Sequence, residues 1–382
     1  MQIINYFNYT RHMRYAPPKK KRGMRIGIKR SFGIHTFRVP TLPAIDFSNV
    51  LRFLDDLRRD TRPPLGIDFG RFSITAVLMK HDKGALIIDK FLSVPVKAGT
   101  YDEDGSLACG ERVLNALVEI RKHFNLPSSY PVSFNVRSKQ THTKPVPFPP
   151  MSEDQMYQSL HWHTEQYIPF DIRKVHMDAY ILGEDTGTDD MRVLLSAVKN
   201  EEMEEKMALL AEAGFKKMTV ATISPMAIRQ QLRSCPDIGG DVTAVVDIRG
   251  NNDVSIFKNG QLIFTRTMDT GLKDCYRQLD SSQPTVESFD DESRAFVLTA
   301  IMKDVQRSLD FYASTSLEGQ IKNVILTGDF LSLSDEDVRA IFEEFLSLPV
   351  LIFNPFSNKM SKSIECSEVA RFTVAAGLAQ LV

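Results

Sequence analysis

Two aspartates, Asp68 and Asp247, close short apolar stretches that share one plan. The first stretch spans 65–70 and the second spans 244–250, and each ends in glycine. A carboxylate at the end of a strand can hold Mg²⁺, usually through water, and glycine lets backbone amides approach phosphate oxygens. Two such units that face each other predict a cleft for a metal–phosphate group, with Asp68 and Asp247 as the Mg²⁺ ligands.

Each aspartate is followed by a predicted β-hairpin. After the first aspartate two apolar runs flank a turn at 82–84, and after the second they flank Asn259–Gly260. Asn-Gly between alternating apolar residues favours a type I′ turn. The sequence therefore predicts a duplicated strand–turn–hairpin unit, with one copy in each of two lobes.

Between the two units the pattern predicts a small inserted α/β subdomain over 145–217. Four prolines within 144–150 cannot lie in a helix or a central strand, so we predict a boundary there. A helix then begins after Ser152, whose side chain can form a capping box. We expect that helix to end at Ile168, because Pro169 disfavours helical geometry in the residue before it.

The predicted domains follow from these elements. Residues 1–62 are expected to form a basic, largely disordered extension with a short helix, and 63–240 a first lobe that contains the insertion. Residues 241–364 form the second lobe, and 365–382 return to the first lobe. A helix over 201–213 belongs to the insertion in this interpretation, and the fold class is α/β.

The composition is that of a globular protein. Apolar residues make up 43% of the chain and charged residues 25%, and no run approaches the roughly 18 apolar residues of a membrane span. The four cysteines form no Cys-x-x-Cys pair, which argues against a zinc site or a disulfide framework. We expect a cytoplasmic protein.

Basic residues are concentrated at the N-terminus. Residues 1–45 carry ten Lys or Arg and no acidic residue, which leaves 37 basic against 48 acidic residues, a balance of −11, in the remainder. Residues 11–30 can lie on an anionic membrane surface, at about 1 kcal/mol per basic residue. A solvated basic tail is the alternative, and we expect no nucleic acid as a partner.

Several motifs follow one another in an order that resembles a known superfamily. They are Gly66–Gly70, Glu165–Phe170 after an amphipathic helix, Val246–Ile248 with the Asn259–Gly260 hairpin, Thr327–Gly328, Asn354–Phe356 and Ala375–Ala379. From about residue 65 to 382 the chain resembles the actin-like ATPases, which include actin, sugar kinases and the division protein FtsA. Within that superfamily it looks like the PilM-like proteins of type IV pilus assembly.

The resemblance implies a bilobal fold, with ribonuclease H-like duplicated lobes around a nucleotide cleft and a subdomain inserted as in FtsA. It also implies a cytoplasmic adaptor, peripheral at the inner membrane, that binds the cytoplasmic N-terminal tail of a PilN-like membrane protein. Such an adaptor joins the assembly platform and motor ATPases of a type IV pilus or a type II secretion-like system.

The predicted partner-binding residues are Tyr167, Ile168 and Phe170. Apolar residues that close a helix at the mouth of the insertion can shape a groove for an extended peptide. Packing of the same residues between the insertion and the first lobe is the alternative.

The resemblance also implies which residues would hold ATP and Mg²⁺. These are Asp68, Gly70, Arg71, Thr75, Asp247, Gly250, Thr327 and Gly328.

Three loops depart from the family's pattern. Arg71 stands where the family has a small residue, and Thr75 where it commonly has lysine. Arg249 replaces a glycine, and Asp329 follows a single glycine where a pair is usual. We therefore predict weak or no ATP binding and no hydrolysis. Alternatively, Arg71 or Arg249 pairs with phosphate in place of the lost lysine, and the chain is an active ATPase or small-molecule kinase.

Overall fold

The computed structural model describes most of the chain after residue 61. The residues outside it are 1–61, 98, 103–104, 137–140, 185–188, 234–240, 269, 274–290, 317, 330–334, 357–368 and 382. The predicted short helix of the basic extension and the predicted lipid-binding residues 11–30 lie outside the described residues.

The described helices and strands alternate along the chain. In order they are β1 (Leu65–Phe69), β2 (Ser73–Asp82), β3 (Ala85–Pro95), α1 (Gly110–Phe124), β4 (Pro131–Val136), β5 (Thr141–Phe148), α2 (Glu153–Thr164), β6 (Val175–Glu184), β7 (Met191–Lys199), α3 (Asn200–Glu212), β8 (Lys217–Ile223), α4 (Ser224–Arg233), β9 (Val242–Ile248), β10 (Asp253–Lys258), β11 (Gln261–Thr267), α5 (Asp291–Thr315), β12 (Ile321–Gly328), α6 (Asp335–Leu346), β13 (Val350–Ile352) and α7 (Thr373–Leu378).

Two five-stranded sheets repeat one topology. The first has the order β3-β2-β1-β4-β8 and the second β11-β10-β9-β12-β13. In each, the central strand is antiparallel to its hairpin partner and parallel to the next strand of the sheet. The predicted duplication is thus confirmed, and Asp68 and Asp247 are the penultimate residues of the equivalent strands β1 and β9.

Tight turns fix the register of both hairpins. Lys83 and Gly84 have φ of 48° and 85°, and Asn259 and Gly260 have φ of 51° and 68°. Positive φ at both central residues is the requirement of a type I′ turn, so the hairpin prediction is confirmed in both units.

The insertion is a three-stranded sheet of order β5-β7-β6 with helix α2 packed against it. Its edge strand β5 contains Pro145 and Pro147, so the proline-rich segment forms part of a strand and not a simple boundary. An edge strand tolerates proline because one side needs no ladder hydrogen bonds. The capping box of Ser152 and Gln155 is confirmed.

Helix α2 ends at Thr164, so the expected end at Ile168 is wrong by four residues. Residues 165–167 form a turn, and Ile168 is 6% exposed in the apolar core of the insertion. Burial of that side chain, and not only the following proline, sets where the helix ends.

Helix α3 packs on the first lobe. Its Met203 and Leu210 belong to the same apolar core as β1 and α1. We therefore propose that the inserted unit comprises residues 141–199, and that α3, predicted at 201–213 as part of the insertion, belongs to the first lobe.

Polar contacts join the insertion to the second lobe. Glu318 accepts from Arg192 of β7 at 2.5 Å and from Lys258 of β10 at 2.9 Å. Hydrogen bonding from Lys258, followed by the charge of Arg192, lowers the pKa of Glu318. The tip of the β10–β11 hairpin therefore lies against the inserted sheet.

A buried arginine of the first lobe contacts both of its neighbours at the same place. Arg229 of α4 is 4% exposed. Its Nε donates to the carbonyl of Gly260 at 2.9 Å, and its Nη2 donates to the hydroxyl of Tyr180 in β6 at 2.7 Å. One side chain thereby contacts the first lobe, the insertion and the second lobe.

The C-terminal helix α7 packs on β1. A Cβ atom built on Gly66 would overlap the carbonyl oxygen of Ala375 and come within 2.6 Å of the amide of Ala379. Glycine at this position of β1 therefore sets how closely the helix approaches the strand.

We predict that Gly66→Ala destabilises the protein by about 1–3 kcal/mol, because the obstructing atoms belong to a helix backbone that must shift. Gly110→Ala is the matched control, since its Cβ would meet only side-chain carbons at 3.6 Å. Urea unfolding should show a lower midpoint for Gly66→Ala alone. Equal midpoints for the two variants would contradict the close packing of α7.

Candidate functional site

The two aspartates are brought together by one arginine. The Nη1 of Arg249 lies 2.6 Å from Oδ2 of Asp68, and its Nε lies 2.9 Å from both carboxylate oxygens of Asp247. Asp68 comes from the first lobe, whereas Asp247 and Arg249 come from the second. The side chains are 2% exposed at the arginine and 1% at each aspartate, so this is a buried ion triad between the lobes.

Further polar groups hold Asp68 in place. The Nδ2 of Asn135 donates to Oδ1 of Asp68 at 2.6 Å, and the Oδ1 of Asn135 accepts from the amide of Phe69 at 2.6 Å. The hydroxyl of Thr75 donates to the other carboxylate oxygen at 3.4 Å. Both oxygens of Asp68 therefore have donors from the protein itself.

Asn135 was not predicted as a site residue. It is the penultimate residue of β4, the neighbour of β1, and it is fully buried. An asparagine near the end of a mostly apolar strand is the only signal in the sequence, and pairing of β4 with β1 is needed to place it beside Asp68.

The surrounding carboxylates keep the guanidinium of Arg249 charged. Burial alone would lower the pKa of Arg249, but the carboxylates of Asp247, Asp68 and Asp329 together raise it well above its ordinary value. Asp329 lies just after β12, and its Oδ1 accepts from the hydroxyl of Ser73 in the first lobe at 3.4 Å. Three carboxylates thus face one buried guanidinium.

The loop that follows β9 is held by hydrogen bonds to the backbone of Arg249. Its amide donates to Oδ1 of Asn252 at 2.8 Å, and its carbonyl accepts from the amide of Leu272 at 2.9 Å. The next residue, Gly250, packs on the stem of Arg71, because a Cβ there would lie 2.6 Å from its Cδ. The loops that follow β1 and β9 are therefore packed against each other.

The remaining predicted phosphate-binding residues are engaged within the protein. The amide of Gly70 donates to the carbonyl of Ser73 at 3.0 Å. The hydroxyl of Thr327 donates to the carbonyl of Ala370 at 2.9 Å and lies 2.6 Å from the hydroxyl of Thr373, towards the C-terminal segment.

Gly328 is required by the backbone. It has φ of 111°, and a Cβ there would overlap the carbonyl of Ile248. Glycine at this position therefore permits the close approach of β12 to β9 whether or not a nucleotide is bound.

The residues present do not fit a magnesium–triphosphate at this position. Asp68 and Asp247, the predicted Mg²⁺ ligands, are both paired with Arg249, so an incoming ion would have to displace a buried guanidinium. No group of three or more His, Cys, Asp or Glu suited to a metal occurs among the described residues. The Nε and Nη1 atoms of Arg249 donate to carboxylates. Its third nitrogen, Nη2, has no hydrogen-bond partner among the described residues.

The predicted partner-binding residues lie after α2, in the insertion. Ile168 is buried in the inserted core, and Tyr167 and Phe170 pack against that core with part of each ring exposed. The ammonium of Lys199 lies 5.3 Å from the ring centre of Phe170. Of the three, Tyr167 and Phe170 present surface that a partner can contact.

A family model described as type IV pilus assembly protein PilM matches residues 66–283, more than half of the chain. The chain belongs to the PilM family. This assignment confirms the resemblance drawn from the motifs, and it places both aspartates and the whole insertion of this PilM family member inside the matched region.

One solved structure shares the fold of this chain, and weaker matches accompany it. A PilM–PilN type IV pilus biogenesis complex matches with a TM-score of 0.72 and 19% identity, over 84% of this chain and 98% of that one. The ethanolamine utilization protein EutJ from Carboxydothermus hydrogenoformans matches with a TM-score of 0.45 and 15% identity, over 86% and 96% of the two chains.

A third match is a Bacteroides thetaiotaomicron protein with an actin-like ATPase fold. It has a TM-score of 0.42 and 16% identity, over 77% of this chain and 92% of that one. This PilM family member has the predicted bilobal actin-like fold with an inserted α/β subdomain. No described helix is long and apolar enough to cross a membrane.

We predict that Asn135→Ala lowers stability by about 1–3 kcal/mol, because it removes the donor to one oxygen of the buried Asp68 carboxylate and the acceptor of the Phe69 amide. Ser133→Ala in the same strand is the control, since Ser133 makes only a 3.4 Å contact with Thr219. Thermal unfolding of both variants checks this, and a loss no larger in Asn135→Ala than in Ser133→Ala would contradict the assigned role.

Proposed function

We propose that this protein is a cytoplasmic adaptor of a type IV pilus, or type II secretion-like, assembly platform. It binds the cytoplasmic N-terminal tail of a PilN-like membrane protein. The observation that supports this most is the fold match along almost the whole length of the PilM–PilN complex chain, together with membership of the PilM family.

In this proposal the protein is peripheral at the inner membrane. The partner tail holds it there, and the basic residues 11–30 add attraction to anionic lipid. Through the tail it joins the other platform components and the motor ATPases.

We further propose that the cleft is degenerate and that the protein acts by binding and not by catalysis. Both predicted magnesium ligands are paired with Arg249 within the protein. A triphosphate would also meet Asp329, a third carboxylate near the same guanidinium. An active ATPase or kinase would require both aspartates to be released from the arginine.

For the partner, we propose a surface that includes Tyr167 and Phe170. Both rings are held by the inserted core and are partly exposed, so they can offer a preorganised apolar contact. Low conformational freedom in such rings reduces the entropic cost of binding an extended peptide.

A synthetic peptide of the cytoplasmic tail of a PilN-like protein from the same genome should bind the full chain in isothermal titration. Tyr167→Ala and Phe170→Ala should weaken binding about tenfold, equivalent to roughly 1.4 kcal/mol. Leu351→Ala, a change at a half-exposed apolar residue of the second lobe, is the control and should have no effect. Absence of tail binding by the unmodified chain would refute the adaptor role.

A titration with fluorescent ATP and Mg²⁺ should give no saturation below about 1 mM. The reason is that binding must break two buried ion pairs before any phosphate contact forms. A PilM family protein with glycine at the position of Arg249 serves as the positive control for the probe. A micromolar dissociation constant for this chain would contradict the degenerate cleft and favour the ATPase or kinase alternative.

A further inference from the structure

We propose that Arg249 is an inter-lobe clamp, meaning that the triad of Asp68, Arg249 and Asp247 holds the two lobes closed without any ligand. In this inference the guanidinium supplies positive charge at the place where a bound Mg²⁺ would supply it in a functional cleft. It rests on the proposal above that the cleft does not take Mg-ATP, and it adds how the lobes are controlled in its absence.

The geometry requires the contact to act between lobes. Arg249 and Asp247 are two residues apart in the second lobe, so their pairing is local. The 2.6 Å contact from Nη1 to Asp68 is the one that crosses to the first sheet. Since Nε and Nη1 are fixed on one planar group, the arginine fork can satisfy both carboxylates only when the two strand ends are close together.

The sign of the local charge makes the arginine necessary for closure. Asp68 lies on one side of the cleft, and Asp247 and Asp329 lie on the other. Without a cation these carboxylates repel one another across the cleft, and burial strengthens that repulsion because the surroundings have a low dielectric constant. With the guanidinium between Asp68 and Asp247, each of these two carboxylates has a direct ionic contact, which offsets part of the repulsion and links the two lobes.

The arginine is also held in place from both sides. Asn252 fixes its backbone amide, and Leu272 fixes its carbonyl. Asn135 fixes the Asp68 carboxylate that receives it. Because both partners are preorganised, little conformational freedom is lost when they pair, and the closed arrangement does not depend on a ligand to order the loops.

A shared apolar core also joins the two lobes. Val245, Phe257, Ile325 and Phe353 of the second lobe pack in the same core as the first lobe. This shared core keeps the lobes joined at their base. Release of the clamp therefore predicts a wider cleft in a folded protein and not separation of the lobes.

Distances between spin labels on the two lobes test the clamp. Glu111→Cys in α1 and Glu344→Cys in α6 place labels on exposed helical positions, in the full chain with its four native cysteines replaced by serine. The unmodified clamp should give one narrow distance distribution in the presence of a chelator. Addition of Mg-ATP should leave that distribution unchanged. A broad distribution that narrows with Mg-ATP would overturn the proposal.

Substitutions of the arginine provide the second arm. Arg249→Met removes the charge and keeps the stem, and it should shift the distribution to longer and broader distances. Arg249→Lys keeps the charge and loses the fork, and it should give an intermediate result. Arg307→Met is the control, because Arg307 pairs with Asp304 inside α5 of a single lobe. Distributions identical to that of Arg307→Met in both Arg249 variants would overturn the clamp.

A third variant tests the clamp if Arg249→Met fails to fold. Asp68→Asn combined with Arg249→Met removes one repelling charge together with the cation, and the same broadening is expected. The tail-peptide titration keeps the two proposals separate. If the protein binds the tail peptide but its cleft closes only with Mg-ATP, the clamp alone is refuted. If the cleft is closed without ligand but the protein does not bind the tail peptide, the adaptor role alone is refuted.

Discussion

The fold brings two carboxylates from different lobes into one buried space, and such charges must be neutralised there or kept apart. Arg249 forms an ion pair with both, and much of the nearby structure follows from that pairing. Asn135 orients the carboxylate of the first lobe, and Asn252 orients the loop that carries the arginine. The glycine after the arginine leaves room for the stem of Arg71. The loops that would cradle phosphate in a nucleotide cleft pack instead on one another.

The two duplicated units therefore differ in the side chains that they place in the space between the lobes. Each lobe still has an aspartate as the penultimate residue of its central strand, followed by a hairpin with a type I′ turn. The first lobe adds Phe72, which packs against the core of the second lobe, and the second adds a guanidinium that reaches the first. Apolar contact and charge pairing act at neighbouring points of the same boundary, so the two lobes are complementary in both respects.

Much of this could be predicted from the sequence, because strand–turn–hairpin units and capping boxes are local patterns. The duplication and the Asn259–Gly260 turn were predicted from such patterns, and the family from the order of the motifs. The bridging role of Arg249 was not predicted. It depends on the distance between residues 68 and 249, which only the pairing of the lobes sets. The predicted end of α2 was wrong for a similar reason, because the burial of Ile168 in the core of the insertion depends on tertiary packing. The proline-rich strand β5 was missed because an edge position, unlike a central one, accepts proline.

The junction at Arg229 has a mechanical consequence. The inserted sheet is joined to the first lobe through the chain at both of its ends, but Tyr180 and Arg192 also contact groups that hold the tip of the β10–β11 hairpin. A force applied to the inserted sheet is therefore divided between the two lobes. Part of the load passes through the chain connections to the first lobe, and part passes through Arg229 and Glu318 to the second. The insertion cannot be displaced without carrying the hairpin tip with it or breaking these polar contacts.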